Sequence, residues 1–420
     1  MQTPFLVPLA RCRRKKHMIP SLAPDPPKDP VFSIFTRRQV MTRMTESTYD
    51  GMRQETGIPD LTGILSDDLR NKPASKREAR QKGCPDYRGL LHMGLNENAF
   101  GMAPSAKKAA IDAAMKGNYY EDFMSRDLKK QIAETLHVNP EGIMTGAGSS
   151  PLIEYLGQAF LNPGDEVLMC RTFYAFVDMA QMRSAKEVIV PLTKDYRYNL
   201  PGMLSAVTEK TKMAVITNPN NPTGQYVSCD EIRNFIEALP KNIVVVVDEA
   251  YIQFATAPDC RTVLSLIDEF PDHPIIVLRT FSKYYGMAGL RAGFLVTQPA
   301  ILDWLDAVSE SETSLTAQAA AEAALKEQDY YRDCKRKIVE GIDYITRELT
   351  ALGCDVFPTQ TNFIMFDPHE DPQVIRQKLI ERGILIATPM FCRVTVGTMD
   401  DNRAFIACMK DILKELRKAA

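Results

Sequence analysis

The sequence lacks the features that several broad classes of protein require. Its nine cysteines include no Cys-x-x-Cys spacing, which argues against a zinc module and against the disulfide framework of a small secreted protein. Its five histidines share no close spacing, so we predict no histidine-based metal site. The longest purely aliphatic run, IVVVV at 243–247, is far too short to cross a membrane. A net charge of −2 gives the chain no overall attraction to nucleic acid.

These absences leave a globular chain of enzyme size. Its 420 residues are 45% hydrophobic and 25% charged, which is an ordinary composition and enough for two or three domains with a large core. An odd number of scattered thiols suits a reducing compartment. We therefore predict a cytoplasmic enzyme that uses no metal and has neither nucleic acid nor a membrane as a partner.

The N-terminal part differs from the rest in charge and in proline content. Residues 1–45 contain nine lysines and arginines against two acidic residues. The stretch PSLAPDPPKDP at 20–30 is too rich in proline to form a helix and is typical of an extended linker. We predict that residues 1–90 form a basic, proline-rich extension that is partly disordered. An organelle-targeting role for residues 1–45 stays open, because transit peptides are also rich in arginine.

From about residue 140, apolar runs alternate with helical segments. The alternation predicts an α/β fold with a mainly parallel sheet covered by helices, because a strand that is buried on both faces has a continuous apolar sequence. The predicted strands are 142–145, 166–170, 187–192, 212–217, 242–249, 274–280 and 292–297. A long helical pattern follows at 314–350, and strands and helices then alternate to the end. We predict a large domain at 91–313 and a smaller α/β C-terminal domain with its linking helix at 314–420.

Polar stretches follow three of the predicted strands, where a parallel sheet places its ligands. They are NPNNPTG at 218–224, DEAY at 248–251 and RTFSKYYGMAGLRAGF at 279–294. The glycine-rich GAGSSP at 146–151 opens a helix, and such a helix start binds phosphate. A desolvated lysine suits a Schiff base. An aspartate for a pyridine nitrogen, with asparagine and tyrosine donors for a phenolate, completes what pyridoxal 5'-phosphate requires.

The same motifs carry a resemblance to a known family. SKYYGMAGLRAGF, NPNNPTG and DEAY together resemble the fold-type I, pyridoxal-phosphate-dependent class I and II aminotransferases. LNENAFG at 95–101, RTFYAF at 171–176 and CRVTVGT at 392–398 are most similar to the histidinol-phosphate aminotransferase branch. The resemblance covers roughly residues 90–415. It implies a seven-stranded sheet of the fold-type I kind, and a homodimer with shared active sites.

The resemblance also implies the roles of individual residues. Lys283 would hold the cofactor as an internal aldimine and, once freed by the substrate, remove the Cα proton. Asp248 would keep the pyridine nitrogen protonated, while Asn221 and Tyr251 would bind the phenolate oxygen. Phe173 occupies the ring-stacking position. The groups implied to hold the phosphate are the backbone of Ala147 and Gly148, the side chains of Ser149, Ser282 and Arg291, and Tyr120 of the neighbouring subunit.

The substrate side departs from the branch. Arg393 matches the arginine that binds the acidic group of the substrate, and Asn221 is the second residue implied to bind the substrate. That branch typically places a second arginine shortly upstream, where this sequence has Ala387. A phosphate there would be poorly paired, and unpaired charge is costly. We therefore expect transfer from an ordinary α-amino acid, with an apolar or aromatic side chain as one option, to a 2-oxo acid. Histidinol phosphate is the alternative amino donor.

Two further readings compete with transamination. A decarboxylase or oxidase acting on an amino acid could use the same fold and cofactor, because the ring stabilises any carbanion next to the nitrogen. A transcriptional regulator would need a winged helix-turn-helix in residues 1–90, where proline is frequent and amphipathic helices are missing. Arg171, where the family usually has proline, and Ala99 are departures without a physical explanation at this stage. The identity of the acceptor and any assembly beyond the dimer are left open.

Overall fold

The structure, a computed structural model, describes residues 89–309 and 313–419. Nearly all of the predicted N-terminal extension, with its targeting hypothesis, lies outside the described residues. Among those described, no helix has the length and apolarity needed to cross a membrane.

Twelve strands and twelve helices of α type make up the described chain. The strands are β1 (Leu91–His92), β2 (Ile143–Gly146), β3 (Glu166–Cys170), β4 (Lys186–Val190), β5 (Thr211–Thr217), β6 (Val244–Asp248), β7 (Ile275–Thr280), β8 (Gly293–Thr297), β9 (Asp355–Val356), β10 (Phe363–Asp367), β11 (Ile384–Leu385) and β12 (Cys392–Thr395). The helices are α1 (Pro104–Ala114), α2 (Arg126–Leu136), α3 (Ser149–Phe160), α4 (Tyr174–Met182), α5 (Leu200–Ser205), α6 (Cys229–Ala238), α7 (Leu266–Glu269), α8 (Pro299–Asp306), α9 (Leu315–Lys326), α10 (Gln328–Ala351), α11 (Pro372–Glu381) and α12 (Met399–Ala419).

The central sheet has seven strands in the order β2-β8-β7-β6-β5-β3-β4. The neighbours from β7 through β6, β5 and β3 to β4 are parallel, whereas β8 is antiparallel to both β7 and β2. Val245 and Val247 of β6 pack into one apolar cluster and Val244 and Val246 into another. Successive side chains of a strand point to opposite faces, so both faces of the sheet are covered. The α/β class predicted from the sequence is confirmed.

The C-terminal part has smaller sheets of its own. Strands β12, β10 and β9 form an antiparallel sheet, and β1 pairs with β11 in parallel. The pattern at 314–350, expected to be one long helix, is two helices that separate at Glu327. We retain the division into domains at residues 313 and 314 as a proposal, since the seven-stranded sheet lies before it and β9 to β12 lie after it.

The parallel order brings the predicted site together. Strands β3, β5 and β6 end at the same edge, where Thr217 of β5 is aligned with Asp248 of β6. The chain then enters the stretches 171–176, 218–224 and 248–251. Strand β7 is parallel to β6, so the loop that carries Lys283 leaves from this edge as well.

Candidate functional site

Asp248 is a buried acid at the end of β6. Its side chain accepts a hydrogen bond from the Ala250 amide at 3.0 Å, and the residue is 3% exposed. Burial is the main cause that raises the pKa of Asp248 to about 6; Glu249 adds to the rise, while the Ala250 hydrogen bond and the positive charge of Lys283 oppose it. A buried acid whose charge is so weakly compensated is suited to a partner that brings a proton.

The next residue, Glu249, has a cation of its own. Arg279 of β7 donates from Nη2 to Glu249 Oε2 at 2.8 Å, and the two side chains are 5% and 1% exposed. Thr262 donates a further hydrogen bond to the same carboxylate at 2.8 Å. Two adjacent acids at one strand end therefore differ in their compensation: Glu249 is neutralised within the protein, whereas Asp248 has no such cation among the described residues.

Lys283 lies in the loop between β7 and β8. Its Nζ donates to the carbonyl oxygen of Leu95 at 2.8 Å. Gly286, with φ of +66°, allows this loop to lie against the segment around Gly101, because a Cβ at Gly286 would come within 2.6 Å of the Gly101 carbonyl carbon. The glycine-rich sequence around the lysine therefore permits two backbones to meet beside it.

A cationic cradle forms where α3 begins. Arg291 donates from Nη1 to Ser282 Oγ at 3.3 Å, and a side chain at Gly148 would overlap with the Arg291 guanidinium. A Cβ at Gly293 would lie 2.8 Å from the Ser149 nitrogen, which shows how closely β8 approaches the helix start. The first amides of a helix lack intrahelical partners. A guanidinium, a hydroxyl and these amides therefore converge, as a phosphate site requires.

One expected phosphate donor is engaged elsewhere. The Gly148 amide donates to the Gly146 carbonyl at 2.7 Å, which closes a three-residue turn centred on Ala147. Ala147 directly follows β2. The amides left for an anion begin at Ser149, the first residue of α3.

Each of the two predicted phenolate donors accepts a hydrogen bond from a different side chain. Tyr251, 3% exposed, accepts a hydrogen bond from Asn96 Nδ2 at 2.9 Å, which leaves its own proton to donate. Asn221 accepts at Oδ1 from Arg393 Nη1 at 2.5 Å, so its amide group is the free donor. Asn96 was not predicted as a site residue, although it belongs to the LNENAFG motif.

Arg393 on β12 is a buried cation without a described carboxylate as its ion-pair partner. Its Nη2 donates to the Gly94 carbonyl at 2.9 Å, and its guanidinium carbon lies 5.0 Å from the centre of the Phe363 ring. Its Nε is buried and has no partner among the described residues. Burial lowers the pKa of Arg393. A buried cation of this kind is suited to an incoming anion.

The segment 387–391 lies beside Arg393. Ala387 pairs with Arg393 through reciprocal backbone hydrogen bonds of 3.1 and 2.8 Å, and directly opposed residues project to the same face. The methyl group of Ala387 therefore stands next to the arginine side chain. Phe391 packs against Tyr196 and Phe357, with ring centres at 5.6 and 5.3 Å.

Phe173 and Tyr120 complete the set of predicted residues. Phe173, three residues after β3, is half-buried and packs against Tyr174 with ring centres at 4.7 Å. Tyr120 is 85% exposed, in a surface patch with three other large apolar side chains: Tyr119, Phe123 and Met124. Large exposed apolar patches are typical of protein interfaces.

Comparison with known proteins relates this site to a family. The family model described as aminotransferase class I and II matches residues 88–409. A histidinol-phosphate aminotransferase of Brevibacillus brevis is 33% identical over 332 residues, which are 77% of this chain and 90% of the relative. Another, of Moorella thermoacetica, is 34% identical over 342 residues, which are 80% of this chain and 87% of the relative.

Solved structures agree with the sequence matches. The histidinol-phosphate aminotransferase of Sinorhizobium meliloti in complex with pyridoxal 5'-phosphate has a TM-score of 0.77 and 28% identity, and the match covers 84% of this chain and 98% of that one. An aspartate aminotransferase of Thermus thermophilus with maleate has a TM-score of 0.70 at 20% identity, covering 83% of this chain and 99% of that one. The latter likeness concerns the fold alone.

Proposed function

The chain belongs to the class I and II aminotransferases, and we propose that histidinol phosphate is its amino donor and a 2-oxo acid its acceptor. One observation carries the choice of donor. Relatives 33% and 34% identical to the chain, matched over 77% and 80% of its length, are histidinol-phosphate aminotransferases. The family supports transamination over the decarboxylation or oxidation that the sequence left open.

The enzyme depends on pyridoxal 5'-phosphate, and the residues at the sheet edge fit this cofactor. When bound, it supplies an electron-withdrawing ring that stabilises the negative charge left at Cα of the donor. Asp248, buried and without a neutralising cation, would hold a proton on the ring nitrogen. The cradle of Arg291, Ser282 and the α3 amides from Ser149 would hold the phosphate. Phe173 would pack on the ring.

Three side chains would then act on the donor. Lys283 Nζ would anchor the cofactor and later move the proton from Cα, which is the role of a lysine next to the reacting carbon. Tyr251 and the amide of Asn221 would donate to the phenolate oxygen. The hydrogen bond from Lys283 to the Leu95 carbonyl holds the ammonium group at the edge of the sheet.

Arg393 would bind the anionic end of the donor. Histidinol phosphate carries its phosphate on the carbon next to the one that bears the amine, where an α-amino acid carries its carboxylate. A planar guanidinium pairs with either group. The same arginine could therefore serve both amino donor and acceptor.

One observation favours an α-amino acid as the second candidate for the amino donor. Ala387 places a methyl group beside Arg393, so the segment 387–391 offers no cation of its own. This favours an α-amino acid with a single carboxylate, with an apolar or aromatic side chain as one option. The names of the relatives support histidinol phosphate better.

The homodimer is part of the proposal. In a dimer with shared sites, the exposed Tyr120 of one protomer would reach the cofactor phosphate of the other. The apolar patch around Tyr120 supports this, because a monomer would leave those side chains in water.

Mixing two inactive variants tests the shared site. Lys283→Ala and Tyr120→Ala protomers, unfolded and refolded together, should form heterodimers with one intact site. Random pairing restores about a quarter of the wild-type sites. Each variant refolded alone provides the baseline. Activity that stays at this baseline although heterodimers form would contradict sharing.

The donor is tested by single-turnover absorption spectroscopy of the cofactor-loaded enzyme. Histidinol phosphate, histidinol, histidine and phenylalanine are added separately, and conversion of the cofactor to its amine form is followed. We expect fast conversion only with histidinol phosphate, yielding the corresponding ketone phosphate. Fast conversion by phenylalanine or histidine, with histidinol phosphate inert, would overturn the proposed donor in favour of the second candidate.

A further inference from the structure

The proposed donor poses a problem of charge. A phosphate monoester carries about −1.5 to −2 at pH 7, whereas Arg393 supplies a single positive charge. Ala387, on the same face as Arg393, adds none. Since partly desolvated charge without a partner is costly, a second cation should lie close to Arg393.

Arg171 is in a position to supply that charge. It directly follows β3 at the carboxyl edge of the sheet. Its carbonyl oxygen accepts from Asn220 Nδ2 at 3.2 Å, while the next residue, Asn221, accepts from Arg393. The Arg171 backbone and the Arg393 guanidinium therefore contact two consecutive residues of one loop, whose Cα atoms lie about 3.8 Å apart.

The Arg171 side chain extends to the segment beside Arg393. Its Nη2 donates to the Pro389 carbonyl at 2.8 Å, and Pro389 is two residues beyond Ala387. A guanidinium has five N–H donors, so most of its fork is left for another acceptor. No described carboxylate forms an ion pair with it, and the residue is exposed to solvent.

We propose that Arg171 is a specificity-determining residue that binds the phosphate of the amino donor together with Arg393. This inference rests on the proposed function and names the group that recognises the dianion. Arg171, which follows a strand of the central sheet, supplies the positive charge that Ala387 does not carry. One N–H holds Pro389 and the rest of the fork pairs with phosphate oxygens, a geometry that lysine cannot reproduce.

A structural tether is the competing role for the same contact. If Arg171 only held the segment 387–391 in place through Pro389, its loss would disturb Arg393 for every donor alike. Histidine provides the matched comparison, because it carries a carboxylate where histidinol phosphate carries its phosphate.

The test compares Arg171→Gln, Arg171→Lys and wild type as cofactor-loaded enzymes. We expect Arg171→Gln to lower kcat/KM for histidinol phosphate by about 10- to 100-fold, the range of a charge-assisted hydrogen bond, and to change the value for histidine less than about twofold. Arg171→Lys should recover part of the loss. The exposed Lys194 gives the matched control, since Lys194→Gln removes one positive charge without the Pro389 contact and should leave both donors unaffected.

Inorganic phosphate gives a second readout, as a competitive inhibitor against histidinol phosphate. Its inhibition constant should rise at least about fivefold in Arg171→Gln, corresponding to the loss of a charged contact. Equal losses for both donors, or an unchanged inhibition constant, would overturn the role of Arg171 while the proposed donor stands. A wild type that rejects histidinol phosphate would overturn the proposed donor, and the inference with it.

Discussion

The cofactor side and the substrate side of the site are built differently. On the cofactor side, Asp248 ends a strand and Lys283 lies in the loop that follows the neighbouring strand, so the central sheet positions both. On the substrate side, Arg393 comes from the small sheet, and its contacts to Asn221 and Gly94 join residues 172 and 299 positions apart. In the proposed function the cofactor side would serve any amino donor, whereas the substrate side would select one. Changes on the first should lower all activities equally, and changes on the second should be selective.

The largest uniform effect is expected from Lys283→Ala. Removing the amine proposed to transfer the proton should lower the rate of the half-reaction at least about 10³-fold, and by the same factor for histidinol phosphate and histidine. Rates measured by stopped-flow absorption with both donors check this. A loss confined to one donor would place Lys283 on the substrate side and break the comparison.

Asp248→Asn should also act uniformly, with a loss of about 100-fold or more for both donors, because the ring nitrogen would lose the carboxylate proposed to keep it protonated. A large loss of activity with one donor but not with the other would contradict this prediction. The second effect of the substitution is on stability.

In the cofactor-free protein, burial raises the pKa of Asp248 from 3.8 to about 6, so the folded chain binds this proton more tightly than the unfolded chain does. The stability that the protonated carboxyl contributes is full below about pH 4 and is lost as the pH rises through 6. The free energy of unfolding of cofactor-free Asp248→Asn should therefore increase relative to that of wild type from pH 4.5 to pH 7.5, by about 2 kcal/mol. Urea unfolding at both pH values measures the difference. A pH-independent difference would mean that Asp248 is not desolvated.

The smallest effect is selective and concerns Ala387. In the Arg171→Gln background, Ala387→Arg places a second guanidinium beside Arg393. It should raise the ratio of kcat/KM for histidinol phosphate to that for histidine about tenfold, which corresponds to about 1.4 kcal/mol. Ala387→Gln in the same background is the control for size. If neither substitution changes the preference, position 387 does not face the phosphate.

The difference between the cofactor side and the substrate side also explains which features could be predicted from the sequence. The seven strands of the central sheet were predicted to within two residues, because a strand buried on both faces is a continuous apolar run. The motifs at their ends indicated the cofactor side, since the parallel order alone brings them together. Neither Asn96 nor Arg171 was assigned a role, because their partners Tyr251 and Pro389 lie 155 and 218 residues away.

Local backbone detail was also missed where no residue marks it. The separation of α9 from α10 at Glu327 has neither glycine nor proline to indicate it, so the helical pattern appeared unbroken. In the stretch 146–151 the glycine-rich sequence predicted a helix start that binds phosphate, but the direction of the Gly148 amide toward Gly146 depends on the dihedral angles of Ala147, which the sequence does not determine. The sequence indicated Ala387 as the residue at the position of the second arginine of the branch, but its pairing with Arg393 is seen only in the structure.

The most direct test of the whole account is a competition between histidinol phosphate and histidine for the wild-type enzyme in one reaction. The ratio of products, with both donors at equal concentration, gives the ratio of the two kcat/KM values. We predict a ratio of at least about 10 in favour of histidinol phosphate, as two arginines acting on a dianion require. A ratio below about 1 would show that the substrate side is built for a carboxylate, and would contradict the account.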